Sequence, residues 1–116
     1  MTQRLLSAGS LTGDKVVNAS GEDIGHIEEL MIDPTEGRVA YAVLSFGGFL
    51  GIGDKLFAIP MQQLQLDREE ERLVLNIDKE RLKSAPGFDK DNWPDFADPA
   101  FRSQVDEFYS VTPAPV

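Results

Sequence analysis

Gly37-Arg38-Val39-Ala40-Tyr41-Ala42-Val43-Leu44-Ser45-Phe46-Gly47-Gly48-Phe49-Leu50-Gly51-Ile52-Gly53-Asp54-Lys55-Leu56-Phe57-Ala58-Ile59-Pro60 is the stretch that decides the fold. It reads as two apolar strands around a glycine-rich connection. Strand side chains alternate between faces, so Val39, Tyr41 and Val43 share one face, and Ala40, Ala42, Leu44 and Phe46 share the other. Both faces are apolar, which predicts a strand from Arg38 to Phe46 covered on both sides. The segment from Gly48 to Lys55 has the glycine spacing of a phosphate loop but lacks its chemistry. Asp54 stands where that loop needs lysine, and a strand, not a helix N-terminus, follows. The glycines therefore serve a β-connection, where they permit positive φ and close backbone approach.

Outward from this hairpin the signals remain those of short strands. Upstream, Asp33-Pro34-Thr35-Glu36-Gly37 is a turn, with proline presetting φ and glycine tolerating a positive value. Ile24 to Asp33 precedes it. Its alternation breaks between Ile27 and Leu30, a spacing that also suits a helix. Gly25 disfavours the helix, so a strand with a β-bulge near Glu28-Glu29 is expected. Lys15 to Asn18 is a further short strand, followed by the turn 19–23. Downstream of Pro60 come Leu64 to Asp67, the charged turn Arg68-Glu69-Glu70-Glu71, and Arg72 to Ile77. Short strands at 8–12-residue spacing are the pattern of a small barrel or sandwich; six strands favour the barrel.

The character changes at Asp78, a candidate N-cap for a short helical turn stopped by Pro86-Gly87. An irregular aromatic segment from Phe88 to Phe96 follows. Asp98-Pro99 then reads as an N-cap with proline at the first helical position. In the helix after it, Phe101, Val105 and Phe108 form one apolar stripe. The expected organisation is an N-terminal segment 1–9, a barrel 10–78, a C-terminal helical and aromatic extension 79–109, and a disordered tail 110–116.

Composition bounds function. A chain of 116 residues fits one domain. Cysteine is absent, so disulfides, zinc ribbons and thiol nucleophiles are excluded within the chain. Residues 1–7 are too short and too polar for a signal peptide, and no apolar run is long enough to span a bilayer, so a cytoplasmic location is expected. The net charge of −9 opposes phosphate backbones and anionic lipid surfaces alike. Nucleic acid and membrane insertion are accordingly not expected.

No constellation for catalysis assembles from the pattern. His26 is the single histidine, which rules out a histidine-rich metal site within one chain. Asp89-Lys90-Asp91-Asn92 opens like a calcium loop, but Trp93 and Pro94 occupy its fifth and sixth positions, and Ala100 its twelfth. Glu28-Glu29 and Glu69-Glu70-Glu71 are adjacent on strands or a turn, so they point apart unless a bulge redirects one. No catalytic residue, cofactor or metal is expected. The aromatic concentration at Trp93, Phe96, Phe101, Phe108 and Tyr109 has two readings, a cap packed on the barrel or a partner surface.

Three blocks, Leu11 to Asn18, Gly21 to Asp33 and Gly37 to Lys55, resemble the PRC-barrel domain family, and Ala85 to Asp95 is similar to the C-terminal extension of its stand-alone bacterial members. The resemblance runs from about Ser10 to Tyr109. It implies a six-stranded barrel, as in the cytoplasmic domain of the photosynthetic reaction centre H subunit and the C-terminal domain of the ribosome maturation factor. There the barrel is a protein-binding module without catalytic residues. The expectation is therefore a non-catalytic interaction or scaffold module that self-associates, with Phe49, Leu50, Ile52, Trp93 and Phe96 as candidate contact residues. The competing expectation is a small-ligand or metal binder, or an enzyme, using a pocket between barrel and extension with His26, Asp89 or Asp91 as polar groups.

Overall fold

A computed structural model of the chain describes residues 7–49, 53–67 and 72–110. Along the chain come α1 (Ala8–Leu11), β1 (Lys15–Val17), β2 (Asp23–Asp33), β3 (Arg38–Phe49), β4 (Gly53–Pro60), a 3₁₀ turn (Met61–Gln63), β5 (Leu64–Asp67), β6 (Arg72–Leu75), α2 (Lys79–Lys83), β7 (Gly87–Phe88) and α3 (Pro99–Phe108). The strands form one mixed sheet in the order β5-β6-β1-β2-β3-β4-β7. Among the described strands, only the β1–β6 pairing is parallel. The described strands thus number seven, one more than the sequence pattern predicts. The extra strand is β7, hidden in a segment too short and aromatic to show alternation. No described ladder joins β5 to β7, so backbone pairing alone does not close the sheet.

β3 is buried on both faces. Ala42, Leu44 and Phe46 enter an inner core with Val16, Ile24, Ile27, Leu30, Phe57, Ile59, Leu73, Leu75, Ile77, Leu82 and Ala85. Tyr41 and Val43 enter an outer core with Leu56, Ala58, Phe88 and Val105. Strict alternation places Val39 with Tyr41 and Ala40 with Ala42. The structure reverses both: Val39 packs on the inner core and Ala40 on the outer. The cause is a bulge, since Met31 faces Tyr41 while Ile32 faces Val39, leaving Ala40 as the extra residue. A second bulge lies where the broken alternation of β2 predicts one. Ile27 faces Leu44 and Glu29 faces Val43, so Glu28 is the unpaired residue. One bulge on each strand restores the register.

The connections follow local chemistry. Asp33 Oδ1 accepts from the amides of Thr35 and Glu36 at 3.0 and 3.2 Å, holding the turn before Gly37. β3 and β4 form the expected antiparallel hairpin, with Phe49 opposite Gly53. In the β1–β2 turn, Asn18 is only 5% exposed. Its Oδ1 accepts from the amides of Ser20 and Glu22, and its Nδ2 donates to Glu22 Oε1. α1 is capped by Ser7, whose side chain accepts from the Ser10 amide; the sequence pattern offers no signal for it. Asp98 caps α3 through the Ala100 amide with Pro99 behind it, as expected. Asp78 occupies the N-cap of α2 without a side-chain bond to it.

Gly25 shows how tightly the strands approach. Its φ is +128°, and a Cβ built there would fall against the Ser45 carbonyl oxygen of the neighbouring strand. Gly37 has φ +66° with open space around it. Gly25→Ala should therefore cost about 2–4 kcal/mol, from left-handed strain plus overpacking, and Gly37→Ala about 1 kcal/mol from strain alone. Urea midpoints of the two variants check the ranking; equal losses would show that strand approach at Gly25 is not the constraint.

Candidate functional site

The outer face of β3 and β4 forms a groove, and α3 lies in it. Val105 is fully buried against Tyr41, Val43, Leu56 and Ala58. That burial contributes roughly 2 kcal/mol. Phe101 packs on the same cluster, whereas Phe108 turns to the inner core. The single stripe expected on this helix is thus divided between two cores, and Tyr109 touches both. The helix takes this position because its apolar residues recur at four- and three-residue spacing, while Pro99 and Asp98 fix where it starts.

Polar contacts mark the margins of the groove. Tyr41 Oη donates to Asp106 Oδ1 at 3.2 Å. The Arg102 guanidinium sits 5.8 Å from the centre of the Tyr41 ring. Burial pushes the Tyr41 phenol above its ordinary value; Arg102 opposes that shift and Asp106 reinforces it. At the far end, Arg81 of α2 donates to the Phe108 carbonyl at 3.0 Å and stacks 4.6 Å over the Phe108 ring. These partners lie far apart in the chain, so no local pattern announces them.

An aromatic ladder runs from this groove to the surface. Phe96 lies at its centre, with ring centroids 5.3 Å from Phe101 and 6.0 Å from both Tyr41 and Phe88. Trp93 packs on Phe88 at 5.2 Å and remains 39% exposed. Of the other candidate contact residues, Phe49 ends β3, while Leu50 and Ile52 lie outside the described residues. So do Glu69, Glu70, Glu71 and the tail 111–116. Ile32, 61% exposed on β2, joins Trp93 as a large exposed apolar side chain.

A polar cleft of about 690 Å³ opens elsewhere, lined by Lys15, Asp23, His26 and Lys79 together with Gly13, Gly25, Ser45, Phe46 and Gly47. Register places His26 opposite Lys15 on one side and Ser45 on the other. Carboxylates face the basic side chains: Lys15 meets Asp23 at 3.3 Å, His26 Nε2 lies 3.2 Å from Glu28 and Lys79 meets Glu22 at 4.0 Å. The Gly25 amide lowers the Asp23 carboxyl below its usual range, with help from Lys15 and Lys79. Glu28 and Glu29 do not pair: Glu28 lies against His26, two residues earlier on the strand, while Glu29 accepts from the Leu30 amide. Asp89 and Asp91 are exposed and do not line the cleft; the Asp89 carbonyl closes a turn with the Asn92 amide. Among the described residues, no group of three or more acidic or histidine side chains is arranged to hold a metal. None of the described helices is long and apolar enough to cross a membrane.

Residues 4–82 match the PRC-barrel domain. The chain belongs to the PRC-barrel domain family. No curated protein matches it closely enough to count as a relative. The PRC-barrel match ends within α2, so β7, the aromatic ladder and α3 all lie beyond it. The groove walls therefore belong to the matched PRC-barrel domain, and the helix that fills them does not.

Tyr109 allows a direct test of this seam. Its hydroxyl is buried with no hydrogen-bond partner among the described residues, and burial pushes its phenol well up. The neutral form is thus favoured in the folded state, so its contribution is intact below the unfolded value near 10 and is lost as pH rises above it. Tyr109→Phe should be as stable as the parent or up to about 1 kcal/mol more stable at neutral pH, since it deletes an unsatisfied group. It should also lose less stability between about pH 9 and 11. Urea titrations across that range check both; a large loss at neutral pH would show that the hydroxyl is bonded.

Proposed function

We propose that this PRC-barrel protein is a non-catalytic, cytoplasmic interaction module that associates with copies of itself. The observation that carries the reading is the aromatic ladder, which runs from the buried groove to an exposed Trp93. Aromatic side chains anchored on one side and open on the other are typical of protein contact surfaces. A barrel geometry supports it too. Leu64 and Leu66 of the edge strand β5 pack on the same inner core as Phe57 and Ile59 of β4. A sheet that brings opposite margins to one core is curled, and we infer a barrel closed by packing.

Native mass spectrometry at tens of micromolar tests association, with a dimer or larger species expected. Trp93→Ala and the Phe49→Asp/Leu50→Asp pair should each raise the dissociation constant if their surfaces contribute, by roughly tenfold or more for an anchor residue. A strict monomer throughout the concentration range would sink the proposal.

A second reading is favoured by the cleft at His26, large enough for a small polar ligand and lined by charges of both signs. A thermal-shift screen against metabolites and metal ions, repeated on His26→Ala, addresses it. Stabilisation that the variant loses supports a ligand there. No shift across the panel counts against one.

A further inference from the structure

We propose that the groove on β3 and β4 is a helix-docking site that accepts α3 from a second copy of this chain, so that dimers form by exchange of the C-terminal helix. This rests on the self-association reading and assigns its route. The occupant is fixed by the structure itself. α3 lies in the groove with Phe101 and Val105 as anchors, and the complementarity that seats it within one chain is identical for the helix of another.

The joint between barrel and helix allows the exchange. Between Phe88 and Pro99 the backbone makes no described strand or helix pairing. Its described backbone bonds are local turns, Asn92 N to Asp89 O and Asp98 N to Asp95 O. Fully extended, residues 89–98 reach roughly 35 Å, comparable with the domain's extents of 44 × 36 × 25 Å. α3 is held through side chains and one terminal carbonyl: the Tyr41–Asp106 bond, the Arg102–Tyr41 stack and the Arg81 bond to Phe108. Every one of these can be remade with a neighbour.

The walls of the groove need a helix over them in either form. With α3 lifted, Tyr41, Val43, Leu56 and Ala58 face water, all of them 3% exposed or less with it in place. Such an apolar patch must be covered again. In dilute solution the chain's own helix has the higher effective concentration. At high protein concentration a neighbour's helix competes, and two chains that exchange bury both patches at once. Trp93 lies within the joint, so its surroundings change when the joint straightens.

The absence of cysteine makes the test clean. Ser84 and Gln104 are exposed and line one open cleft between α2 and α3. Ser84→Cys and Gln104→Cys are made in separate chains, one labelled with ¹⁵N, and shown by circular dichroism and melting to match the parent. The two are mixed at high concentration, and the dimer fraction is treated with a short bismaleimide. The expected product is an 84–104 linkage joining a light chain to a heavy one, with a shift in Trp93 emission relative to the monomer. A double Ser84→Cys/Gln104→Cys chain should give the same linkage within one chain when dilute. A dimer that forms without the light–heavy 84–104 linkage would overturn the exchange while leaving self-association standing. A chain that stays monomeric at every concentration overturns both.

Discussion

The rest of the structure depends on one strand being apolar on both faces. β3 presents Ala42, Leu44 and Phe46 to one core and Tyr41 and Val43 to another. A strand of this kind cannot end its packing at a single layer, because one exposed face would leave several large side chains in water. The inner face is satisfied by residues of β1, β2, β4, β6 and α2 packed into one core. The outer face is satisfied by β7, the aromatic ladder and α3. The C-terminal extension thus answers a demand that the central hairpin creates.

That division gives the molecule two surfaces of different character. The side near β1 and the start of β2 is polar, and the cations lining its cleft are faced by carboxylates, so the cleft contributes little to the net field. The side over β3 and β4 is apolar and aromatic, fastened at its margins by Tyr41, Asp106, Arg102 and Arg81. Exposed ion pairs such as Lys15–Asp23 contribute little stability. The buried side chains of the outer face contribute far more, and the extension cannot leave without uncovering them.

The bulges link these levels. Without the extra residue at Glu28, every side chain of β2 beyond Ile27 would change faces. Without the compensating one at Ala40, the two strands would lose register before the turn at Asp33. Val39 turns inward and Ala40 outward as a result. Both bulges lie inside paired strands, where two residues on one chain oppose one on its neighbour.

Much of this was legible from residue pattern alone. The two-faced strand, the hairpin after it, the turn at Asp33-Pro34, the bulge near Glu28 and the capped start of α3 all follow from local chemistry acting over a few residues, while the PRC-barrel resemblance rested on matching blocks of sequence. The bulge at Ala40 was not legible, because alanine carries no signal of its face and only the partner strand sets the register. The strand β7, the division of the α3 stripe between two cores, the Tyr41–Asp106 contact and the cleft around His26 also needed the fold, since each joins residues distant in the chain. Sequence determined which segments form and which faces must be hidden, because propensity and burial act residue by residue. Tertiary structure decided what hides them, because covering the outer face of β3 requires a partner, and its position is set only by three-dimensional packing.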